Sequence, residues 1–167
     1  MAHTGAEADL EAWIADYGDG LLRLCLLQLG DYALAEDAVQ ETFMRAYRHY
    51  DGFEGRSSVK TWLTAIAINV CRSLLRSRRR RRAVSLEEIA DLPAPEDGRW
   101  ADHTVSNAVL GLPPEQREVI LMHELQGIKL REIAEARGLP LATVGSRLKR
   151  AKARLRRELE GWYLDEE

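Results

Sequence analysis

The 167-residue sequence predicts an all-α protein: an N-terminal helical bundle and a C-terminal helix-turn-helix domain joined by a flexible acidic linker. Three observations predict this. Apolar side chains recur at helical spacing almost throughout, and no alternating run of Val, Ile or Thr bounded by turns suggests a strand. Charge is segregated: 1–55 is strongly acidic, 56–82 carries only basic charge, 83–104 is acidic again and 105–167 is nearly balanced, although the net charge of -3 conceals it. Finally, 83–104 holds Pro93, Pro95 and Gly98 and no sustained period, which suits a tether better than a loop inside one compact domain. The expected division is 1–82, linker 83–104, and 105–167. Fully extended, the linker reaches roughly 70–80 Å, so the two parts can dock far apart.

A first helix is expected over about 10–29, with Leu21, Leu22, Leu24, Cys25 and Leu29 on one side and a break at Gly18 and Gly20. A second follows Asp31 and runs to about residue 49. Its core positions are Ala35, Val39, Phe43, Ala46 and Tyr47, with Glu36, Asp37, Gln40 and Glu41 facing away. Asp51, Gly52 and Gly55 then punctuate a loop. Ser57 or Ser58 can cap a third helix, in which Val59, Trp62, Leu63, Ile66, Val70 and Leu74 form an amphipathic stripe before Arg76 and the 78–82 arginine tract. In the second part, Pro113 and Pro114 open a helix with Glu115 in its first turn, where the macrodipole favours an acid, and Gly127 ends that element.

Several function classes are excluded at this stage. With 31% charged residues and no long apolar run, the chain does not insert in a membrane. Glu7, Asp9 and Glu11 stand where a secretory leader would be basic, so a reducing cytoplasm is the expected compartment. Cys25 and Cys71 match no metal spacing and lie in apolar helical segments, where a buried inert thiol is the default. His3, His49, His103 and His123 are scattered, and no Gly-rich phosphate loop occurs. No catalytic residue, metal site or cofactor is expected.

The stretch KLREIAEARGLPLATVGSRLKRAKARL, from Lys129 onward, carries the function. Leu130, Ile133 and Ala134 mark a short helix, Gly138 with Leu139 and Pro140 a turn, and Leu141, Val144 and Leu148 the apolar face of a second helix. That is the shape of a helix-turn-helix. Thr143, Ser146, Arg147 and Arg150 then point outward; an arginine fork fits guanine O6 and N7, and a hydroxyl fits a base edge or a phosphate. The basic run also includes Lys149, Lys152, Arg154, Arg156 and Arg157. By itself such a run favours a solvated helix face, since surface helices are often rich in Lys and Arg; the turn chemistry and the spacing turn the reading to DNA binding.

At this point the chain resembles the extracytoplasmic-function (ECF) sigma factors of bacterial RNA polymerase. AEDAVQETFMRAYRHYDGFEGRSSVKTWLTAIAINVCRSLLR, 35–76, is similar to the family's second conserved region. LPPEQREVILMHELQGIKLREIAEARGLPLATVGSRLKRAKARLRREL, 112–159, is similar to its fourth. The resemblance implies no enzyme but a promoter-specific initiation factor that works through core RNA polymerase, contacting the β′ clamp helices and the β flap. It assigns clamp binding to Glu36, Asp37, Gln40, Glu41 and Arg45. The loop 50–58 becomes the reader of the minus-10 element, where a flipped base is held; Phe53, Arg56, Ser57 and Ser58 suit that capture, although Phe53 equally suits an anchor pinning the loop. Lys60, Asn69, Arg72, Arg76 and the 78–82 tract would follow the minus-10 DNA backbone, while Trp62 reads as core. Thr143, Ser146, Arg147, Lys149 and Arg150 would contact the minus-35 element. Gly145 departs from the many members that carry Lys or Arg there, which removes one DNA contact and costs about 1 kcal/mol of helix propensity against Ala. The acidic linker would thread toward the RNA exit path, or serve as a passive tether. An anti-sigma factor covering the two domains is also implied.

Two other readings stay open: a stand-alone helix-turn-helix regulator, which would carry a strand-containing receiver or ligand domain in its N-terminal half, and a helical adaptor without DNA activity, against which the Arg147 and Arg150 face argues.

Overall fold

The computed structural model describes residues 3–84 and 103–164. Seven α-helices make up the described chain: α1 (His3–Leu29), α2 (Tyr32–Arg48), α3 (Val59–Val84), α4 (His103–Leu110), α5 (Pro114–Ile120), α6 (Leu130–Arg137) and α7 (Leu141–Leu164). No strand occurs among the described residues, so the all-α fold class holds. The expected linker 83–104 lies outside the described residues except at its ends, which belong to α3 and α4.

Local chemistry explains the boundaries. Gly30, at φ 67°, closes α1 with its N–H donating to the Leu26 carbonyl. Asp31 caps α2 by accepting from the Leu34 N–H at 3.1 Å. Ser58, rather than Ser57, caps α3: its Oγ accepts from the Thr61 N–H at 3.1 Å. Gly138, at φ 64°, ends α6, and the Leu139 N–H reaches back to the Ala134 carbonyl at 3.0 Å, a left-handed helix stop that fixes the turn into α7.

Two expectations are corrected. Helix α1 runs unbroken through Gly18 and Gly20. The propensity cost of about 1 kcal/mol per glycine is outweighed by burying Leu21, Leu24, Cys25, Leu26 and Leu29 along one continuous face. A Cβ at Gly20 would meet the Gln126 amide at 3.8–3.9 Å, an ordinary contact, so the helix does not depend on glycine there. The second correction is α4, an element absent from the sequence reading. Val105, Ala108 and Val109 stand at helical spacing in it, and burial of Ala108 and Val109 holds it to the rest of the chain. Beyond α5 the chain widens into a π-turn over Leu121–Leu125, with the Gln126 N–H donating to the Leu121 carbonyl, before Gly127 turns it at φ 68°.

Helices α1, α2 and α3 pack into one bundle, and α4 to α7 gather around α7. The two parts are docked. One cluster of buried side chains runs from Leu24 and Cys25 through Ile68 and Cys71 to Leu112, Val119 and Met122. Gln126 Nε2 donates to the Gly20 carbonyl at 3.0 Å, stitching the π-turn to α1.

Candidate nucleic-acid interface

Helix α2 presents two faces. Ala35, Ala38, Thr42, Phe43 and Ala46 are buried against the bundle, which leaves Glu36, Asp37 and Gln40 exposed. Glu41 Oε1 accepts from Arg45 Nε at 2.9 Å and lies 3.9 Å from Arg48, so three of these charged side chains form a small surface network. Beside it, between α1 and α2, opens a mainly apolar groove of about 770 Å³. Leu10, Ile14 and Leu22 form one wall, Val39, Met44 and Tyr47 the other, and Glu7, Asp19 and Glu36 give the rim an acidic bias. Met44 is 52% exposed and Ile14 47%. Tyr47, expected in the core, is also at this surface. The sequence reading missed the groove's apolar part; its signal was Met44 standing between Gln40, Glu41 and Arg48 on an otherwise polar face.

At the other end of α2 four aromatic rings meet. Phe53 stacks on Trp62 with centroids 4.7 Å apart, Trp13 of α1 meets Trp62 at 5.9 Å and Phe53 at 6.4 Å, both edge-on, and Tyr50 completes the group. Such pairs fix ring orientation as well as burying area. Phe53 is therefore an anchor that holds the 50–58 loop against α1 and α3. The Tyr50 hydroxyl donates to Asp9, which pushes the Tyr50 phenol above its usual range. Arg56 is largely exposed and pairs with Glu54 at 2.7 Å. Ser57 is half-buried, and Ser58 is committed to its cap, its hydroxyl also donating to Thr61 Oγ1.

Along α3, Lys60 is half-buried and Arg76 exposed. Arg78 is spent on structure: Nη1 donates to the Leu29 carbonyl at 3.2 Å and Nη2 to Asp31 Oδ2 at 3.3 Å, joining the end of α1 to the cap of α2. Asn69 and Arg72 face the second part of the chain. Arg72 makes two parallel hydrogen bonds, from Nε and Nη2, to the carboxylate of Glu118, which is only 5% exposed. Those bonds raise the Arg72 guanidinium above its ordinary value. Arg137 Nη2 lies 3.6 Å from the same carboxylate, and its Nη1 donates to Asn69 Oδ1 at 2.7 Å. Burial holds the Arg137 pKa below its usual value. Neither Glu118 nor Arg137 was singled out from sequence, since each reads as one more charged residue on a helix.

In the second part, α6, the Gly138 turn and α7 form the expected helix-turn-helix. Val144, Leu148 and Ala151 are buried, Ser146, Lys149 and Arg150 are exposed, and Thr143 and Arg147 are half-buried. Ser146 Oγ donates to the Thr143 carbonyl at 3.1 Å. Further along, Lys152 meets Glu124 at 2.8 Å and Arg154 meets Glu158 at 3.6 Å, so these two bases have carboxylate partners. Gly145 has nothing within 4 Å of a Cβ position. Among the described residues no cluster suits a metal ion, and no helix is long and apolar enough to cross a membrane.

Residues 13–81 match the family described as Sigma-70 region 2, and 103–155 match Sigma-70, region 4. The chain is 31% identical to the ECF RNA polymerase sigma factor SigW of Bacillus subtilis, over 92% of this chain and 90% of that one. It is 35% identical to the ECF sigma factor SigG of Mycobacterium tuberculosis over 88% of its length, but spans only 48% of that relative. Among solved structures it is similar to the sigma factor RpoE in complex with the anti-sigma factor NepR from Bartonella quintana, with a TM-score of 0.77, 29% identity and coverage of 91% and 97%. It is also similar to CnrH in complex with the cytosolic domain of CnrY, with a TM-score of 0.70, 25% identity and coverage of 93% and 90%.

Proposed function

We propose that this chain, which belongs to the ECF family of RNA polymerase sigma factors, binds core RNA polymerase and directs it to specific promoters. The observation that carries this reading is the presence of region 2 and region 4 in one chain and in that order. A stand-alone helix-turn-helix regulator would have a receiver or ligand domain where this chain has region 2.

The work divides by chemistry. The α1–α2 surface, with Glu36, Asp37, Gln40, Glu41 and Arg45 beside an acidic-rimmed apolar groove, suits the β′ clamp helices; a partner helix with an apolar stripe and basic flanks fits it. The 50–58 loop, pinned by Phe53, offers Arg56 and Ser57 to a minus-10 base, while Lys60, Asn69, Arg72 and Arg76 serve the melted backbone. Thr143, Ser146, Arg147, Lys149 and Arg150 read the minus-35 duplex from α7, on a domain that also meets the β flap. Domains 1–82 and 105–167 act as separate units on the promoter, and an anti-sigma factor controls both. The protein works in the cytoplasm and leaves all bond-making to polymerase.

The test is reconstitution. Purified chain added to core RNA polymerase should co-elute with it and yield transcripts whose 5′ ends cluster at shared promoter sequences; failure to bind core polymerase overturns the reading. Arg150→Ala should weaken minus-35 binding and leave polymerase binding intact.

A further inference from the structure

Around Glu118 the chain gathers more positive charge than its carboxylates neutralise. Three guanidiniums share that one buried carboxylate: Arg72 with two bonds, Arg137 at 3.6 Å, and Arg117, which is 7% exposed and near enough for Glu118 to favour its charge. Burial nevertheless holds the Arg117 guanidinium below its ordinary value, and Nε of both Arg117 and Arg137 lacks a hydrogen-bond partner among the described residues. A buried cation short of partners is costly, and a bound anion offsets that cost. Beside this cluster opens a cavity of about 310 Å³, at the lower end of ligand-cleft sizes. It is lined by Arg72, Arg76 and Arg79 of α3, Glu115 and Glu118 of α5, and Gln28 of α1. The three arginines stand at i, i+4 and i+7, on one helix face. Arg72 is committed to Glu118, whereas Arg76 and Arg79 carry no ion pair among the described residues, and Arg79 adds its charge to that of Arg117. Gln28 is 2% exposed, and its Nε2 has no acceptor among the described residues. Buried amide donors are normally satisfied, so this one marks a place for an acceptor atom.

We propose that this cavity binds a small phosphate-bearing anion, held by the guanidiniums of Arg76 and Arg79 and the amide of Gln28. A phosphate presents several acceptor oxygens in different directions, which suits donors arriving from α1 and α3. A carboxylate presents its two oxygens in one plane and is served by a single arginine fork, as Glu118 is by Arg72. The carboxylates that line the cavity do not cancel this preference, because Glu118 is already engaged and Glu115 is exposed to solvent. An anion that binds the folded chain and not the unfolded one raises its stability with concentration. Binding does not depend on the promoter reading, although Arg72, Arg76 and Arg79 also belong to the minus-10 path in that reading.

The full-length chain is titrated with orthophosphate, pyrophosphate and ATP by isothermal calorimetry at ionic strength fixed with sodium chloride, and its urea midpoint is followed in parallel. Saturable one-to-one binding of pyrophosphate and a midpoint that rises with its concentration are expected. Gln28→Leu and Arg79→Gln should each weaken binding about tenfold, whereas Arg80→Gln, in the same arginine tract but outside the cavity, should change it less than about twofold. If Gln28→Leu loses helicity, the exposed Arg79→Gln carries the test. Tighter binding of ATP than of pyrophosphate supports the site and assigns it to the phosphates of a nucleotide; equal or weaker binding supports it and assigns it to free phosphate. Absence of saturable binding of all three anions overturns the site. Equal losses in Arg79→Gln and Arg80→Gln also overturn it, because the tract then acts only as a diffuse positive charge. Single-stranded DNA binding that Gln28→Leu weakens, without any binding of pyrophosphate, overturns it too and gives the cavity to the DNA backbone.

Discussion

The guanidinium of Arg72 on α3 and the carboxylate of Glu118 on α5, 46 positions apart in sequence, form a two-bond ion pair across the seam between the two halves of the chain. Glu118 is buried, and Arg72 is the partner that meets it with two bonds. Removing one member of such a pair strands a charge in poor solvent.

The two residues should therefore be strongly coupled. A double-mutant cycle of Arg72→Met and Glu118→Gln, followed by urea unfolding, is expected to give a coupling of about 1–3 kcal/mol. A coupling near zero would mean that Arg137 alone satisfies the carboxylate.

Gly145 sits in the first turns of α7 with open space where a side chain would be. Gly145→Ala should stabilise the protein by up to about 1 kcal/mol, read as a raised urea midpoint at constant slope. Gly145→Arg should add a phosphate contact, tightening duplex DNA binding and steepening its logarithmic salt dependence by about 1.

Met44 lies exposed on the groove between α1 and α2. Met44→Asp places a charge where an apolar partner surface is expected, at a position that contributes little to the bundle core. Core polymerase binding should fall about tenfold or more, a loss of at least ~1.4 kcal/mol, while thermal stability and duplex DNA binding stay within error.

Cys25 and Cys71 are both buried and free. Their mutual hydrogen bond, reinforced by burial, pushes the Cys71 thiol far above its ordinary value. Neither thiol should react with a water-soluble disulfide reagent at pH 8 in the native protein, and both should react in denaturant. Rapid labelling of the native chain would contradict this.

Lys152 holds the Glu124 carboxyl below the usual carboxylate range through a 2.8 Å contact. A depressed carboxylate stabilises the fold above its unfolded pKa of about 4.3, and that contribution disappears as pH falls through the lower folded value. Both side chains are about half exposed, so screening limits the effect to a few tenths of a kcal/mol. Lys152→Met should lower stability by that amount at pH 7 and converge with the parent protein in acid, as measured by urea unfolding across pH.

The helices whose causes are local were legible in the residue order. The stripe from Val59 to Leu74, the Asp31 and Ser58 caps and the Gly138 turn need only neighbours within a few positions. Gly18 and Gly20 misled for the same reason, since a local propensity was weighed without the core that overrides it. Helix α4 escaped although Val105, Ala108 and Val109 stand at helical spacing, and burial of Ala108 and Val109 sustains it. The contacts of Phe53 with Trp13 and Trp62 could not be read from the residue order, since they join α1, the 50–58 loop and α3.

The sequence by itself determined the all-α class, the helix-turn-helix and the segregation of acidic and basic stretches, because spacing and charge are properties of the chain order. Only the tertiary structure decided which arginines are committed and to what. Arg78 joins Leu29 and Asp31, Arg72 meets Glu118, and Arg137 meets Asn69, partners 46 to 68 positions away. A guanidinium carries the same charge wherever it lies; the carboxylates and carbonyls that folding brings within reach determine whether that charge is committed inside the protein or remains available to DNA.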